Sequence, residues 1–463
     1  MKNSPVKTFG WQLIKAITAG SVVVLYSRLL GSEGRGKLSI LLLDLQLILM
    51  VSELVAGSAL ANLLIRYSQK RILPTAWISL LLVLFIGYRL GMYLNIPQDF
   101  LHVLFLQGMF LGGLNIQYNI YQANEWIYRR NPLQWGLEII KLCLLGMFFV
   151  FGTGTAEKIS TPMAGLFPTK IDLAIDPNVY GILAILALSS GLIWLISVWK
   201  TRGYLKGVNG FTLPPKEMFQ MGLGSQLGHV LLFLLYRLPL WFVASRCGSA
   251  QAGVFANAFL MADTLWVFAN SFGTILHSRI LGRENHLFRM NLVARYMLLS
   301  ALGTLLMILG IIMVPNFVFV GIFGNDFSGL KENFILITPA ILCLALSAPL
   351  GHYLHATNRF KTLIVSNAVA VLIFVMVGFV LDPQAYEYRL LTIDNTPRTM
   401  VILGICIDHY HGLMIAVNTG FFALLAMNWF AVKPRFRKGF RWNFIRRYVK
   451  SMAKSSVPRL YIF

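Results

Sequence analysis

Twelve apolar segments, each about 20 residues long, follow one another along this chain. A helix of that length spans the hydrocarbon core of a bilayer while satisfying its own backbone hydrogen bonds. Only 13% of the residues are charged and mean hydropathy is +0.68, values that are atypical of a soluble domain. The sequence therefore predicts an all-α membrane protein with spans at Phe9–Leu30, Leu38–Ile65, Thr75–Ile96, Phe100–Tyr121, Leu133–Gly152, Val179–Trp199, Met218–Ala244, Ala252–Ile275, Leu292–Val314, Phe334–Leu354, Thr362–Leu381 and Gly412–Phe430.

The loops between these spans divide their basic residues unequally. Loops on one side hold fourteen Lys and Arg, those on the other hold eight, including Arg35 and Lys37, and ten more follow Phe430. Because cytoplasmic loops are enriched in Lys and Arg, we expect both termini to be cytoplasmic. The net charge of +22 then indicates contact with anionic lipid headgroups rather than with nucleic acid.

The two halves of the chain look like copies of each other. Each has six spans, the segments 31–36 (GSEGRG) and 248–253 (GSAQAG) share a pattern, and the longest outer loops fall after the fifth and eleventh spans. Parallel repeats predict two six-helix lobes related by a pseudo-two-fold axis along the membrane normal. We expect an N-terminal lobe at 1–199, a cytoplasmic linker at 200–216, a C-terminal lobe at 217–431 and a tail at 432–463.

Six basic residues fall inside the predicted spans, where a cation facing lipid costs about 2.5–3.5 kcal/mol. Five are candidates for a cationic substrate-binding cavity: Lys15, Arg89, Lys141, Arg237 and Arg295. Arg28 and Arg295 lie near span ends, where a long stem also reaches the headgroups. Lys141 follows Glu138 by three residues, so a local ion pair is an equal alternative for it.

Polar residues inside the spans suggest a hydrated interior. Asn115, Asn119 and Gln122 share one face of the fourth span and are candidates for the cavity lining. Four acids also fall within spans: Asp44, Glu53, Glu138 and Asp263. Glu53 and Asp263 are candidates for ion coupling, although Asp263 is equally suited to bonding neighbouring helices.

Other patterns carry little chemistry. The four cysteines lack metal-ligand spacing, and the pair His352 and His355 supplies too few ligands, so we expect neither metal nor cofactor. A disulfide between Cys247 and Cys406 is geometrically possible. In the tail, aromatic residues and Met452 recur at intervals of four among basic residues, which predicts an amphipathic helix on anionic inner-leaflet lipids.

Two stretches resemble a known family. The end of the first helix, RLLGSEGRGK (28–37), and the seventh helix with the turn after it, LLYRLPLWFVASRCGSAQAGVF (234–255), are similar to the polysaccharide and O-antigen flippases. That family shares a superfamily with multidrug and toxic-compound extrusion (MATE) antiporters and the lipid II flippase. Pro239 stands where the family commonly has an acid, so no acid role is carried over.

The resemblance implies a transporter rather than an enzyme. It would flip a polyprenyl-pyrophosphate-linked sugar across the bacterial inner membrane by alternating access, for export of cell-surface polysaccharide, with polysaccharide assembly enzymes as its candidate partners. A drug/ion antiporter of the same fold is less favoured, because six intramembrane cations outnumber four acids. A third alternative is a glycosyltransferase or polymerase whose site is the last outer loop, with Arg389, Asp394, Arg398, Asp408, His409 and His411.

Overall fold

In a computed structural model, the described part of the chain is almost entirely helical. The structure describes residues 5–56, 60, 64, 69–93, 96–123, 126–151, 177–201, 216–280, 285–357, 359–381, 400–402, 405–407 and 409–439. In these ranges the helices are α1 (Pro5–Ala56), α2 (Gln69–Tyr93), α3 (Gln98–Ala123), α4 (Ile127–Phe151), α5 (Pro177–Thr201), α6 (Lys216–Ile280), α7 (His286–Met313), α8 (Asn316–Phe323), α9 (Leu330–Ala356), α10 (Phe360–Val380) and α11 (His409–Gly439). A 3₁₀ turn (Asn325–Phe327) follows α8, and two short antiparallel strands, β1 (Met400–Ile402) and β2 (Ile405–Ile407), precede α11.

Two of the helices are far longer than a bilayer is thick, and each is broken once. The backbone is non-helical at Gly31 in α1 and at Gly248 in α6, where φ is 64° and 85°. Positive φ is costly for a residue with a Cβ atom, so glycine lets each helix reverse direction within a single residue. Each long helix is therefore a pair of arms, one before and one after its glycine.

These breaks account for the number of membrane crossings. In the described part of the chain, nine helical segments are long and apolar enough to span a bilayer, and one of them, Gln226–His277, contains the break at Gly248 and crosses twice. The two arms of α1 bring the total to the expected twelve. The protein is thus a multi-pass, all-α membrane protein with six crossings in an N lobe (α1–α5) and six in a C lobe (α6–α11).

The two lobes meet reciprocally at the helix breaks. A methyl group added to Gly36 would overlap the backbone carbonyl of Ser249, and one added to Gly253 would overlap the carbonyl of Ser32. Backbones can approach this closely only where neither residue carries a side chain. The equivalence of residues 31–36 and 248–253, expected from sequence, is therefore visible as a pseudo-two-fold contact. We call this the glycine end of the molecule.

The expected placement of two cations in an outer loop is wrong. Arg35 and Lys37 lie in α1 with 6% and 8% of their surface exposed, because the reversal needs only Gly31 and the helix resumes at once. Lys37 is held by Glu33 one turn earlier at 2.8 Å. Because the turn consists of one residue, there is no loop between the two arms, and the basic residues that follow the turn are buried in the protein.

A further contact joins the lobes at the glycine end. Arg28 donates hydrogen bonds to the carbonyl oxygens of Gly321 and Ile322, the latter at 2.6 Å, near the carboxyl end of α8. The last carbonyls of a helix lack partners within it, so an arginine satisfies them well. The largest buried apolar cluster lies in the C lobe and takes in Ile40 and Leu43 of α1, so the lobes also share part of one core.

Several expectations fall on residues outside the described ranges. The linker at 202–215, the loop after the fifth span at 152–176 and the tail beyond 439 are among them, as is most of the last outer loop. The proposed lobe boundaries, the surface helix of the tail and the pairing of Cys247 with Cys406 therefore stay predictions.

Candidate functional site

A buried polar network lies just inside the glycine end. Arg35 donates from Nε to Asn257 Oδ1 at 2.9 Å and also hydrogen-bonds Ser39, while its guanidinium lies 4.9 Å from the ring centre of Tyr26. Asn257 in turn donates to Ser27 at 3.1 Å. Because Asn257 belongs to α6 and the other four residues to α1, this network connects the two lobes in the membrane interior.

Arg35 faces a small cavity of about 180 Å³ between the lobes. Residues of α1, including Arg35, form one wall, and residues of α6, including Arg237, form the other. Asp263 is the one acid among the described residues that line it. Two arginines and one aspartate leave this cavity with a net positive charge.

Arg237 and Asp263 form an ion pair across the two arms of α6. The Arg237 guanidinium donates to Asp263 Oδ2 at 3.0 Å and lies 5.7 Å from the ring centre of Phe259. About a quarter of each charged side chain is exposed to the cavities, at 28% and 24%. A partly exposed arginine keeps donors available for a ligand while its aspartate offsets some of the cost of burial.

A larger cavity of about 730 Å³ is lined mostly by the C lobe, with Met50 of α1 also on its wall. It shares Tyr236, Arg237 and Asp263 with the small cavity, so the two adjoin at the ion pair. The wall combines aromatic rings such as Trp266 with amide groups such as Asn270, Asn367 and Asn428 and four histidines. A volume of this size accommodates a polar headgroup of several hundred daltons.

Two further acids lie between the lobes. Asp44 accepts a hydrogen bond from the Trp241 indole at 2.9 Å. The Glu53 carboxylate accepts from Asn115 of its own lobe at 2.8 Å and from Gln226 of the C lobe at 3.3 Å. Glu53 thus bridges the lobes at the end opposite the glycines, which is a suitable position for a group that couples an ion to lobe movement.

The remaining predicted cations lie away from the cavities. Lys141 binds Glu138 at 3.0 Å, which confirms the alternative of a local ion pair. Lys15 is half-buried, and Arg89 and Arg295 are exposed; none of the four basic residues lines either cavity. The structure therefore brings Arg237, but not Arg89, to the interface between the lobes.

The predicted polar lining is only partly accounted for. Asn115 binds Glu53, and Asn119 donates to the carbonyl of Asn115 at 3.0 Å. The side chain of Gln122 lies outside the described residues. This face of α3 supports Glu53 rather than lining either of the two cavities.

Arg35, His229 and His277 were not predicted as site residues, and the pair His352 and His355 was considered only as a metal site. The predicted spans placed Arg35 in a loop. The signal that could have found it is its position four residues after Gly31 of a Gly-Ser pair, because a turn made by that glycine alone puts Arg35 in the next helix. In the described part of the chain, no cluster of three or more His, Cys, Asp or Glu has the geometry to hold a metal ion.

Comparison with known proteins identifies the fold. No protein-family model matches the sequence, and no curated protein matches it significantly. Among solved structures, one described as the lipid II flippase MurJ in an inward closed conformation matches with a TM-score of 0.64 at 10% identity, covering 98% of this chain and 94% of that one. An inward-facing multidrug resistance MATE transporter of the MOP superfamily matches with a TM-score of 0.59 at 12% identity, covering 96% of both chains.

A third structure, the eukaryotic MATE transporter AtDTX14, matches with a TM-score of 0.58 at 14% identity and covers 94% of this chain and 98% of that one. The chain has the fold of MOP-superfamily transporters. The expected architecture of two six-helix lobes is confirmed. The fold agrees with the one that the resemblance implies, whereas membership of the superfamily and of the polysaccharide flippases stays a prediction.

Proposed function

We propose that this protein is a transporter that flips a polyprenyl-pyrophosphate-linked sugar across the bacterial inner membrane, for export of a cell-surface polysaccharide. The observation that carries the proposal is the small cavity between the lobes, with Arg35 on one wall and Arg237 on the other. A pyrophosphate is a compact, doubly charged group, and the planar guanidinium of arginine is well suited to its oxygens. Asp263 balances only one of the two charges.

Arg35 is held in place and still has donors to offer. Among the described residues two of its five N–H groups are engaged, by Asn257 and Ser39. An arginine fixed by neighbours loses little conformational entropy on binding a ligand, which favours affinity. Because its partner Asn257 is on the other lobe, substrate binding at Arg35 is linked to how the lobes sit together.

The lobe contacts support transport by alternating access. At the glycine end the lobes touch through Gly36 and Gly253, whereas at the other end Glu53 joins them through a hydrogen bond to Gln226. Both sets of contacts are present in this structure, and rocking the lobes would break the contacts at one end while keeping those at the other, with the arginine cavity between them. The unequal loop charges favour an orientation with the glycine end on the non-cytoplasmic side of the membrane and both termini in the cytoplasm.

The same proposal assigns the partners. Anionic lipids of the inner leaflet would hold the basic tail, and the enzymes that assemble and polymerise the polysaccharide would act on either side of the transporter. The transporter itself needs no covalent chemistry.

A drug/ion antiporter is the main competing function, and Glu53 is the observation that favours it. Its carboxylate has amide partners but no cation within ion-pair distance among the described residues, as an ion-coupling acid would require. A flipping assay separates the two functions, because an antiporter would move organic cations and leave a lipid-linked sugar where it is.

The test uses purified protein in proteoliposomes that carry a fluorescent lipid-linked sugar. Arg35→Gln and Arg237→Gln should each slow flipping about 10- to 150-fold, the equivalent of one charge-assisted hydrogen bond of about 1.5–3 kcal/mol. The Lys variants should retain part of the rate because a point charge still attracts phosphate. The matched control is Arg246→Gln, since Arg246 stacks on Phe242 and Phe379 and lines neither cavity. Parental rates in both Gln variants, with normal insertion, would refute the proposal.

A further inference from the structure

Four of the chain's eight histidines meet at one end of the large cavity. His229 comes from the first arm of α6, His277 from the second arm, and His352 and His355 from α9. The ring centre of His277 lies 5.3 Å from that of His355 and 6.2 Å from that of His352, while His229 and His355 are 6.4 Å apart. We call these residues the histidine cluster. None of the functions assigned above to the arginines or to Glu53 makes use of it.

The cluster is separate from the arginine cavity but reached through the same space. His229 precedes Arg237 by eight residues on one helix, which is about 12 Å along its axis. Both residues line the large cavity. A headgroup bound at Arg237 by its pyrophosphate is long enough to extend its next sugars to the histidines.

Hydrogen bonds orient two of the rings. His352 Nε2 lies 2.7 Å from Asn270 Oδ1, and His277 Nδ1 lies 3.4 Å from the carbonyl oxygen of His352. Each of these nitrogens faces an oxygen, to which it donates in the tautomer that places the proton there. The other nitrogen of each ring is then a lone-pair acceptor when the ring is neutral, and it becomes a second donor when the ring is protonated.

Among the described residues that line this cavity, the one acid is Asp263. Of the described lining residues, α6 supplies His229, Tyr236, Arg237, Asp263 and His277, α9 supplies His352 and His355, and α1, α10 and α11 supply only neutral side chains. Asp263 is engaged by Arg237. The other charged residues near the cluster are cations. Arg279 stacks on Tyr296, and Lys361 adjoins Phe360, which packs against His355. Protonation of the cluster is therefore favourable when a ligand brings the negative charge.

We propose that the histidine cluster is a proton-dependent binding site for an oxyanion, a carboxylate or a phosphate, on the headgroup of the transported molecule. The inference rests on the proposed function for the identity of that molecule. It narrows the substrate class to headgroups with a second negative charge beyond the pyrophosphate, such as an acidic sugar. A histidine gains its positive charge as pH falls, so affinity for the oxyanion rises as pH falls.

The test measures anion binding to the full-length protein in detergent by titration calorimetry at about pH 5.5 and pH 8. Glucuronate and inorganic pyrophosphate are the two anionic probes, and glucose is the neutral one. Glucuronate keeps one charge across this range, so any pH dependence of its binding comes from the protein. We expect affinity about tenfold or more tighter at the lower pH for at least one anion, and no such change for glucose. The anion that shows the effect distinguishes a sugar carboxylate from a phosphate.

Variants assign the effect to the cluster. The double variant His229→Gln/His355→Gln should bind at pH 5.5 as weakly as the parent does at pH 8. His355→Arg should bind well at both pH values, and it keeps the test informative if the double variant fails to fold. The control is His102→Gln, because His102 lies on α3 beside Tyr88, outside the cavity.

Several results would overturn the site: equal affinity at both pH values, pH dependence that survives the double variant, or binding that needs added Zn²⁺. The flipping assay keeps the two proposals apart. If the protein binds anions in a pH-dependent way but does not flip the lipid-linked sugar, the proposed function is wrong. If it flips an acidic lipid-linked sugar but shows no pH-dependent anion binding, the proposed role of the histidine cluster is wrong.

Discussion

Replacing Gly253 with alanine tests whether the glycine end must close for the protein to work. The added methyl would overlap the backbone carbonyl oxygen of Ser32 and come within 3.0 Å of the backbone nitrogen of Gly36. Neither of these atoms belongs to a flexible side chain, so the clash is relieved only by moving α1 and α6 apart. We therefore expect Gly253→Ala to favour the conformation in which the lobes are separated at this end.

The size of the effect follows from the bonds that the closed state itself would lose if the two helices are pushed apart to admit the methyl. Asn257 is one turn beyond Gly253, and its bonds to Arg35 and Ser27 cross the same interface. One bond to a charged group and one between neutral groups are together worth about 2–4 kcal/mol. Since about 1.4 kcal/mol is a factor of ten, the closed state should lose population about 30- to 1,000-fold relative to the open state. The helix propensity gained by alanine acts equally on both conformations and does not offset this.

The assay is a distance measurement between spin labels placed on opposite lobes at the glycine end. Glu33 and Ala250 are exposed there, and the four native cysteines would first be replaced. Gly253→Ala should move the distance distribution to longer values and slow flipping. Gly310→Ala is the matched control, because an added methyl there meets nothing within 4 Å. An unchanged distribution with a parental flipping rate would show that the crossing tolerates a side chain and that the argument from close approach is incorrect.

Three further predictions concern single residues. Gly248→Ala should destabilise the protein by about 1–2 kcal/mol, because φ is 85° at this position. The added methyl meets nothing within 4 Å, so the cost comes from the backbone conformation alone. The measurement is the melting temperature in detergent, and an unchanged value would argue against strain at this turn. Arg89→Gln should leave flipping within about twofold of the parent, since Arg89 is exposed and lines neither cavity, and a loss as large as that of Arg237→Gln would restore it to the site. Glu138→Gln should lower the melting temperature more than the double variant Glu138→Gln/Lys141→Met does, because only the single variant leaves Lys141 without its carboxylate partner. Equal decreases in melting temperature would indicate that the ion pair contributes nothing.

Much of the architecture could be predicted because it depends on properties local to the sequence. Apolar runs of about 20 residues define membrane helices whatever their neighbours are, so the twelve crossings were predictable. The repeated pattern at 31–36 and 248–253 also marked the equivalence of the halves correctly. The ion pair of Lys141 with Glu138 was also predictable from local sequence, since residues three apart on a helix are neighbours in any fold.

The site was harder to predict because its members lie far apart in the chain. Arg35 and Arg237 are about 200 residues apart, and the cavity they share arises from the packing of α1 against α6. From the sequence, Arg89 and Arg237 were equally good candidates for the substrate site, because a cation inside a membrane span indicates only that it contacts water, a partner or a ligand. Which of them faces the interior is decided by helix rotation, and that depends on contacts with the other helices.

The lipid environment, the number of crossings and the two-fold repetition follow from the sequence alone, because hydrophobicity and helical hydrogen bonding act along the chain. The roles of the polar residues depend instead on how the helices pack. A turn of one glycine brought Arg35 into the protein interior, the approach of Gly36 and Gly253 set the lobes against each other, and helix packing gathered four histidines from three separate segments around one cavity. These outcomes depend on long-range contacts, whose geometry is fixed only when all the helices are packed together.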